Sequence, residues 1–332
     1  MALVTRADIG EEYAALYMKS YLYTAEARIC YLKFAQAATP SHGDTVISLP
    51  ENGGSMSGKW RRYENLTEQT TALQDGITPE GMDQDVTDIT ATALQYGGFI
   101  RYTDKLKLTT IDNYLLQTQK RLAYNMQKSL DTITKNIVCA GSNVIFPGTI
   151  TLRTNVTSTD LITVAMVLKA VRLLESNDAM TYTEDMIMPT DGYGTSPIPE
   201  SYIAIVHPKT TYTLRQLTGF TEVQKYANPT QRMPGEVGSI GQVRFIQSSA
   251  GVVFTAGGSG AIDVYGTLIF GTDAFGAIDM NALTVDLIIN DIGSGGTSDP
   301  LRQRGTIGWK AAFTAKILND NFMVRLEHAV AA

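Results

Sequence analysis

The sequence predicts an α+β fold organised around one long helix. Three observations carry this. From Thr110 to Gly141, apolar residues recur mostly three or four apart (Ile111, Leu115, Leu122, Met126, Leu130, Ile133, Ile137), with no proline or glycine between. That spacing gives a helix with one buried face. Two strand-like stretches, 59–66 and 86–102, enclose a polar loop, 67–85. Six further strand-like segments follow residue 242, after two more helical patterns, an order that fits α+β and not a doubly wound sheet.

Residues 1–50 read as an arm. Tyr13, Leu16, Tyr17, Tyr21 and Leu22 fall at helical spacing, and 25–38 is a second helical candidate, before Pro40, Gly43 and Pro50 break the pattern. Residues 51–104 read as a long hairpin: β-branched and aromatic residues flank a loop whose turn formers are Gly76, Pro79 and Gly81. Its base carries Lys59, Arg61 and Arg62, and its tip Asp75, Glu80, Asp83 and Asp85. Such a hairpin suits contact with a complementary partner. We therefore take Lys59, Arg61, Arg62, Asp75, Glu80 and Asp83 as candidate inter-subunit contacts. Gly53, Gly54, Gly97 and Gly98 are the candidate hinges, because glycine tolerates wide backbone change.

In the long helix, Thr110 offers a cap hydroxyl, Asp112 suits the positive end of the helix dipole, and Gly141 can take the left-handed conformation that ends helices. At full extent it would measure roughly 45 Å, the length of a spine along an elongated subunit. A second helix is expected over 160–176, with Asp160 in its first turn and a stripe of Leu161, Val164, Leu168, Val171 and Leu174. A glycine- and proline-rich segment, 190–199, follows. Residues 202–206 (YIAIV) read as a buried strand, and 209–217 as a short helix after Pro208. Strands are expected over 243–247, 251–255, 261–270, 283–290, 306–318 and 322–327.

The chain has 332 residues and a net charge of -6, unlike a sequence-specific DNA binder. Cys30 and Cys139 make no disulfide framework, and a reducing compartment is expected. Arg6, Asp8, Glu11 and Glu12 interrupt the start, so no secretory leader is read there, and the most apolar run, 161–174, contains Lys169 and Arg172 and is too short for a membrane span. His42, His207 and His328 lack metal-ligand spacing. There is no phosphate loop of the GxxxxGK type and no nucleophile elbow, and the glycine clusters 257–260 and 293–296 lack the dinucleotide pattern. Nothing recommends an enzyme, and no cofactor or metal is predicted.

From about residue 58 to 327 the chain resembles the major capsid proteins of tailed bacteriophages, in the podovirus-type branch. Arg61-Arg62-Tyr63-Glu64-Asn65-Leu66 precedes Asp75-Gly76-Ile77-Thr78-Pro79, where the family usually has Glu in place of Asp75. Gln95-Tyr96-Gly97, Thr103-Asp104 and His207-Pro208 follow, then Gly219-Phe220 and Lys225-Tyr226. Gly235-Glu236-Val237-Gly238 precedes Val243-Arg244-Phe245-Ile246. Residues 264–271 (VYGTLIFG), Asp273-Ala274-Phe275-Gly276, Ser298-Asp299-Pro300-Leu301, Gly308-Trp309-Lys310 and Ile317-Leu318-Asn319 complete the series.

The resemblance implies the Johnson fold. Its parts would be an N-terminal arm (1–50), an E-loop hairpin (51–104), a peripheral domain (105–150 and 280–332) with a spine helix over 110–141, and an axial domain (151–279). It implies a structural subunit that self-assembles through pentamers and hexamers into an icosahedral head around double-stranded DNA, made in the bacterial cytoplasm and resident in the virion. Partners would be other copies of itself, a scaffolding protein, a portal, decoration proteins and the packaged DNA through non-specific contact, with no membrane. Arg232, Arg302 and Arg304 are expected in loops, free for ion pairs between subunits. The Lys–Asn cross-link known in the fold has no match here. An encapsulin-like shell around cargo protein is the alternative.

Overall fold

The computed structural model describes residues 30–37, 46–47, 57–70, 72, 76, 81–109, 114–182, 201–225, 233–279, 286–295 and 299–331. Its strands, in chain order, are β1 Gln36–Ala37, β2 Val46–Ile47, β3 Ser57–Tyr63, β4 Val86–Thr92, β5 Leu94–Thr103, β6 Val144–Ile145, β7 Tyr202–Val206 and β8 Thr221–Glu222. They continue as β9 Glu236–Ile240, β10 Val243–Gln247, β11 Val252–Phe254, β12 Val264–Phe270, β13 Phe275–Asp279, β14 Asp286–Asn290, β15 Arg304–Ile317 and β16 Met323–His328. The α-helices are α1 Asp104–Thr109, α2 Tyr114–Val138, α3 Val164–Ser176 and α4 Pro208–Gln216.

Helix α2 is the predicted spine, 25 residues and about 37 Å long. Residues 110–113, including the expected cap, lie outside the described residues. Its apolar stripe is buried as the spacing requires: Leu122, Ala123, Met126 and Leu130 pack on Ile307, Trp309, Ala311, Phe313 and Ala315 of β15. A helix repeat of three to four thus meets a strand repeat of two. Strand β15 is the axis of a five-stranded sheet. One edge pairs antiparallel with β5 from Arg304↔Thr103 to Phe313↔Leu94, and the other with β14 and then β13, beyond which β1 runs parallel.

A second sheet, of eight strands, runs β6-β16-β12-β7-β10-β9-β8 with β11 beside β12. All five residues of β7 are buried, because both faces are covered. On one face α3 packs Val167, Ala170, Val171 and Leu174 against Ala204, Val206, Phe245 and Leu326. On the other, Ile203, Ile205, Leu268 and Phe270 meet Tyr31, Val138, Phe275 and Met323. The third sheet is the hairpin, β3 and β4 in register from Ser57↔Thr92 to Tyr63↔Val86, with β2 beside β3.

Several expectations are corrected. Gly141 does not end α2 in the left-handed region, since it is absent from the positive-φ glycines among the described residues. It is small because a Cβ there would stand 2.8 Å from Asp320 Oδ1. Helix α3 begins at Val164, not 160. Thr163 caps it, accepting from Met166 N, while the Asp160 carboxylate closes the preceding turn by accepting from Thr157 N at 2.7 Å. Within 25–38, the described part is a 3-10 turn, Leu32–Phe34, followed by β1, not a helix. Strands β9 and β13 were not expected: Gly238 and Gly276 weaken their strand pattern. The chain also changes sheets earlier than residue 280, since β13 already pairs with β15. It then returns, because β16 pairs with β12 in the eight-stranded sheet. The stretch after 280 therefore serves both sheets.

Candidate assembly interface

The hairpin carries most of the predicted contact residues, and the structure shows how its base is built. Asp88 of β4 lies between two cations of β3: Arg61 Nε donates to its Oδ1 at 2.9 Å, and Lys59 pairs with its other oxygen. The hydrogen bond from Arg61, then that from Lys59, holds the Asp88 carboxyl below the usual carboxylate range. Arg62 Nη2 donates to Glu64 at 2.8 Å, and Thr87 Oγ1 donates to the same oxygen at 2.7 Å. Lys59, Arg61 and Arg62 are thus ion-paired within their own hairpin, and Arg62 keeps an exposed face. Asp83 is exposed near the tip. Asp75, Glu80, Gly53 and Gly54 lie outside the described residues, as do Arg232, 183–200 and the helical pattern at 13–22.

The root of the hairpin is fixed by Trp60. Its indole is buried among Ala91, Ile278, Ile89 and Leu318. It lies so close to Gly276 that a Cβ there would stand 2.9 Å from the indole Cζ2. Beside it a cavity of about 220 Å³ is lined by Gln36, Arg61, Asp273 and Phe322, among others.

The candidate hinges Gly97 and Gly98 lie past the end of β4. Both sit inside the β5–β15 ladder, opposite Lys310 and Trp309. A Cβ on Gly97 would stand 2.8 Å from the Trp309 carbonyl oxygen, so glycine is there for close backbone approach. The strand break between hairpin and body falls at Ala93, between β4 and β5.

Three buried polar constructions were not read from the sequence. Glu236 and Arg244, at adjacent strands of the eight-stranded sheet, form a bidentate pair with bonds of 2.8 and 2.6 Å, and Glu236 also accepts from Met233 N. The signal was available, since Arg244 interrupts an otherwise apolar strand, VRFI. Glu327, fully buried, accepts two bonds of 2.6 Å from Arg153 and one of 2.7 Å from Arg325. Arg325 Nη1 also donates to the carbonyl oxygens of Cys139 and Gly141, which places a cation at the negative end of α2. In the C-terminal half of α2, Asp131 accepts from Tyr31 N at 2.8 Å and Cys30 N at 3.3 Å, so segment 30–37 is tied to the helix. Burial pushes the Asp131 carboxyl up, against the pull of those N–H groups.

These pairs hold elements together and do not converge on a cleft. His207 Nδ1 accepts from Lys209 N, capping α4, and His328 is buried in β16. Burial pushes the Cys30 and Cys139 thiols up to about 11, far from a thiolate at neutral pH. Among the described residues no group of His, Cys, Asp and Glu could hold a metal ion, and no helix is long and apolar enough to cross a membrane.

No protein-family model matches the chain, and no curated protein matches it. Solved structures do. The capsid of Ralstonia phage GP4 is similar at a TM-score of 0.67 and 14% identity, over 84% of this chain and 85% of that one. The capsid of cyanophage P-SCSP1u gives 0.58 and 10%, over 92% and 89%. The head of Helicobacter pylori bacteriophage KHP40 gives 0.57 and 12%, over 89% of each chain. With its long helix on a long strand, its projecting hairpin and its eight-stranded sheet, the chain has the Johnson fold of tailed-phage capsid proteins.

Proposed function

We propose that this chain is a major capsid protein that assembles through pentamers and hexamers into an icosahedral phage head enclosing double-stranded DNA. The observation that carries the reading is likeness over nearly the whole length of both chains to capsid and head structures of several phages. A likeness over 84–92% of this chain and 85–89% of those chains concerns the subunit at large and not one sheet alone. In this reading α2 with the β15 sheet is the peripheral domain, and the eight-stranded sheet is the axial domain. The hairpin reaches a neighbouring copy, and Asp83, with Asp75 and Glu80, supplies its acidic end. Head-to-tail contacts of this kind close into rings. The subunit is a structural protein of the virion, with a scaffolding protein, portal and decoration proteins as its partners. An encapsulin-like cargo shell is not favoured, since the similar structures are phage heads.

Electron microscopy of the expressed full chain, alone and with a candidate scaffolding protein, tests this. Closed shells or capsomer rings are expected in at least one sample. Monomers in both, with correct folding shown by circular dichroism, would count against it.

A further inference from the structure

The outward face of α2 differs from the rest of this acidic chain. Gln117, Lys120, Arg121, Tyr124 and Lys128 are all exposed. Their spacing of three, four and seven puts them on one side of the helix, opposite the stripe that packs on β15. They span about 16 Å along its axis. Among the described residues, Lys120, Arg121 and Lys128 have no ion pair, whereas the hairpin's cations and those of both buried pairs are matched. The only acid between 114 and 138 is Asp131, and it is buried and turned to the N–H groups of Cys30 and Tyr31. The helix therefore presents cations with no compensating charge of its own.

We propose that this face contacts the phosphate backbone of the packaged DNA, so that α2 lines the inside of the shell; the proposal rests on the capsid reading. Two things favour nucleic acid over a protein partner. Among the described side chains of α2 the face holds no cluster of aliphatic residues: beyond Tyr124, only Leu116 is large, apolar and exposed. Protein interfaces are depleted of charge at their centre, whereas phosphate contacts consist of it. Phosphate contacts carry no sequence information, so this contact binds all sequences alike, and three phosphates make it weak enough to let DNA move. The rival occupant is the hairpin tip of a second copy, since residues 64–86 carry six acids and no base.

Two measurements decide. In the first, the free full chain is titrated with a mixed-sequence duplex of about 24 base pairs, between about 20 and about 150 mM salt. Three phosphate contacts give a log–log slope near -2.7, roughly a two-hundred-fold loss across that range. Lys120→Gln/Arg121→Gln/Lys128→Gln, all surface changes, should fold normally and lose that slope. An equal slope in the variant overturns the proposal. In the second, lysines of DNA-filled and emptied particles are acylated with a small reagent and mapped by mass spectrometry. Lys120 and Lys128 should be protected only when DNA is inside. Protection in both states would assign the face to a second copy, and reactivity in both would leave it uncovered; either overturns the proposal. If no particles form, the capsid reading fails on its own, and the duplex titration still decides whether the face binds phosphate.

Discussion

Trp60 and Gly276 are in direct contact: the indole of the hairpin's first long strand lies over a glycine of β13. The contact fastens the hairpin to the body through a small buried cluster in which Trp60 is the largest side chain. A Cβ on Gly276 would stand 2.9 Å from Cζ2 and 3.0 Å from Cε2 of that indole, so Gly276→Ala must displace it. Trp60→Ala removes it altogether, at a cost of about 3 kcal/mol for a large buried aromatic. In both variants hydrogen exchange in 57–63 and 86–92 should speed up while that in β7 and β12 is unchanged. Unaltered protection of the hairpin would show that Trp60 does not hold it.

Gly97 and Gly98 should respond differently although they are neighbours. Alanine at 97 meets a backbone carbonyl, that of Trp309, at 2.8 Å, and the ladder cannot yield as a side-chain end can. Alanine at 98 meets the Trp309 and Asn125 side chains at 3.4 and 3.6 Å, ordinary contact. Gly97→Ala should destabilise the free subunit by about 1–3 kcal/mol, the usual cost of overpacking, and Gly98→Ala by less. Thermal unfolding of the two free subunits measures this. Equal midpoints with failed shells would restore these glycines as hinges.

That pair also marks how far the sequence could be read. The long helix was legible because Leu122, Met126 and Leu130 repeat at one spacing over several turns, and the hairpin because strand residues flank a polar loop. Strand β7 was legible from its unbroken apolar run. Gly97-Gly98 looked like a flexible joint because a glycine pair reads alike whether it bends or lets two backbones approach. Only the partner strand distinguishes the two, and it lies over 200 positions away. The pairing of Lys59 and Arg61 was hidden for the same reason: Asp88, their partner, is set by β-register and not by proximity in the chain. Charges inside apolar strands, Arg244 and Arg325, were the signal left unused.

The Glu236–Arg244 pair is buried on both sides, with side-chain exposures of 0% and 4%. Removing one partner takes the two bonds of 2.8 and 2.6 Å away from the other charge in a poorly polarisable surround. Arg244→Met or Glu236→Gln should each cost about 3–5 kcal/mol. Replacing both, Glu236→Leu with Arg244→Met, should cost clearly less than the sum, because neither buried charge remains. Chemical denaturation of the free subunit, read as a double-mutant cycle, tests this. Strict additivity would mean that the two residues are energetically independent despite their geometry.

Stability should fall on the acid side through His328. Its ring is fully buried: Nδ1 lies 2.8 Å from the Ala329 carbonyl oxygen, which can only accept, so Nδ1 carries the proton and Nε2 accepts from Thr267 Oγ1 at 3.1 Å. Burial lowers the ring's pKa to about 4, with the Ala329 carbonyl and Glu327 pulling weakly upward. The unfolded chain takes up this proton near pH 6.5, whereas the folded chain resists it until about pH 4. As pH falls between those values the unfolded state binds more protons, so stability declines by about 3 kcal/mol and then levels off. Above pH 6.5 the group contributes no slope. His328→Gln, which cannot titrate, should flatten that interval whatever its effect on stability at neutral pH. Unfolding free energies of the free subunit at several pH values provide the measurement, and equal slopes in variant and wild type would rule His328 out as the acid-sensitive group.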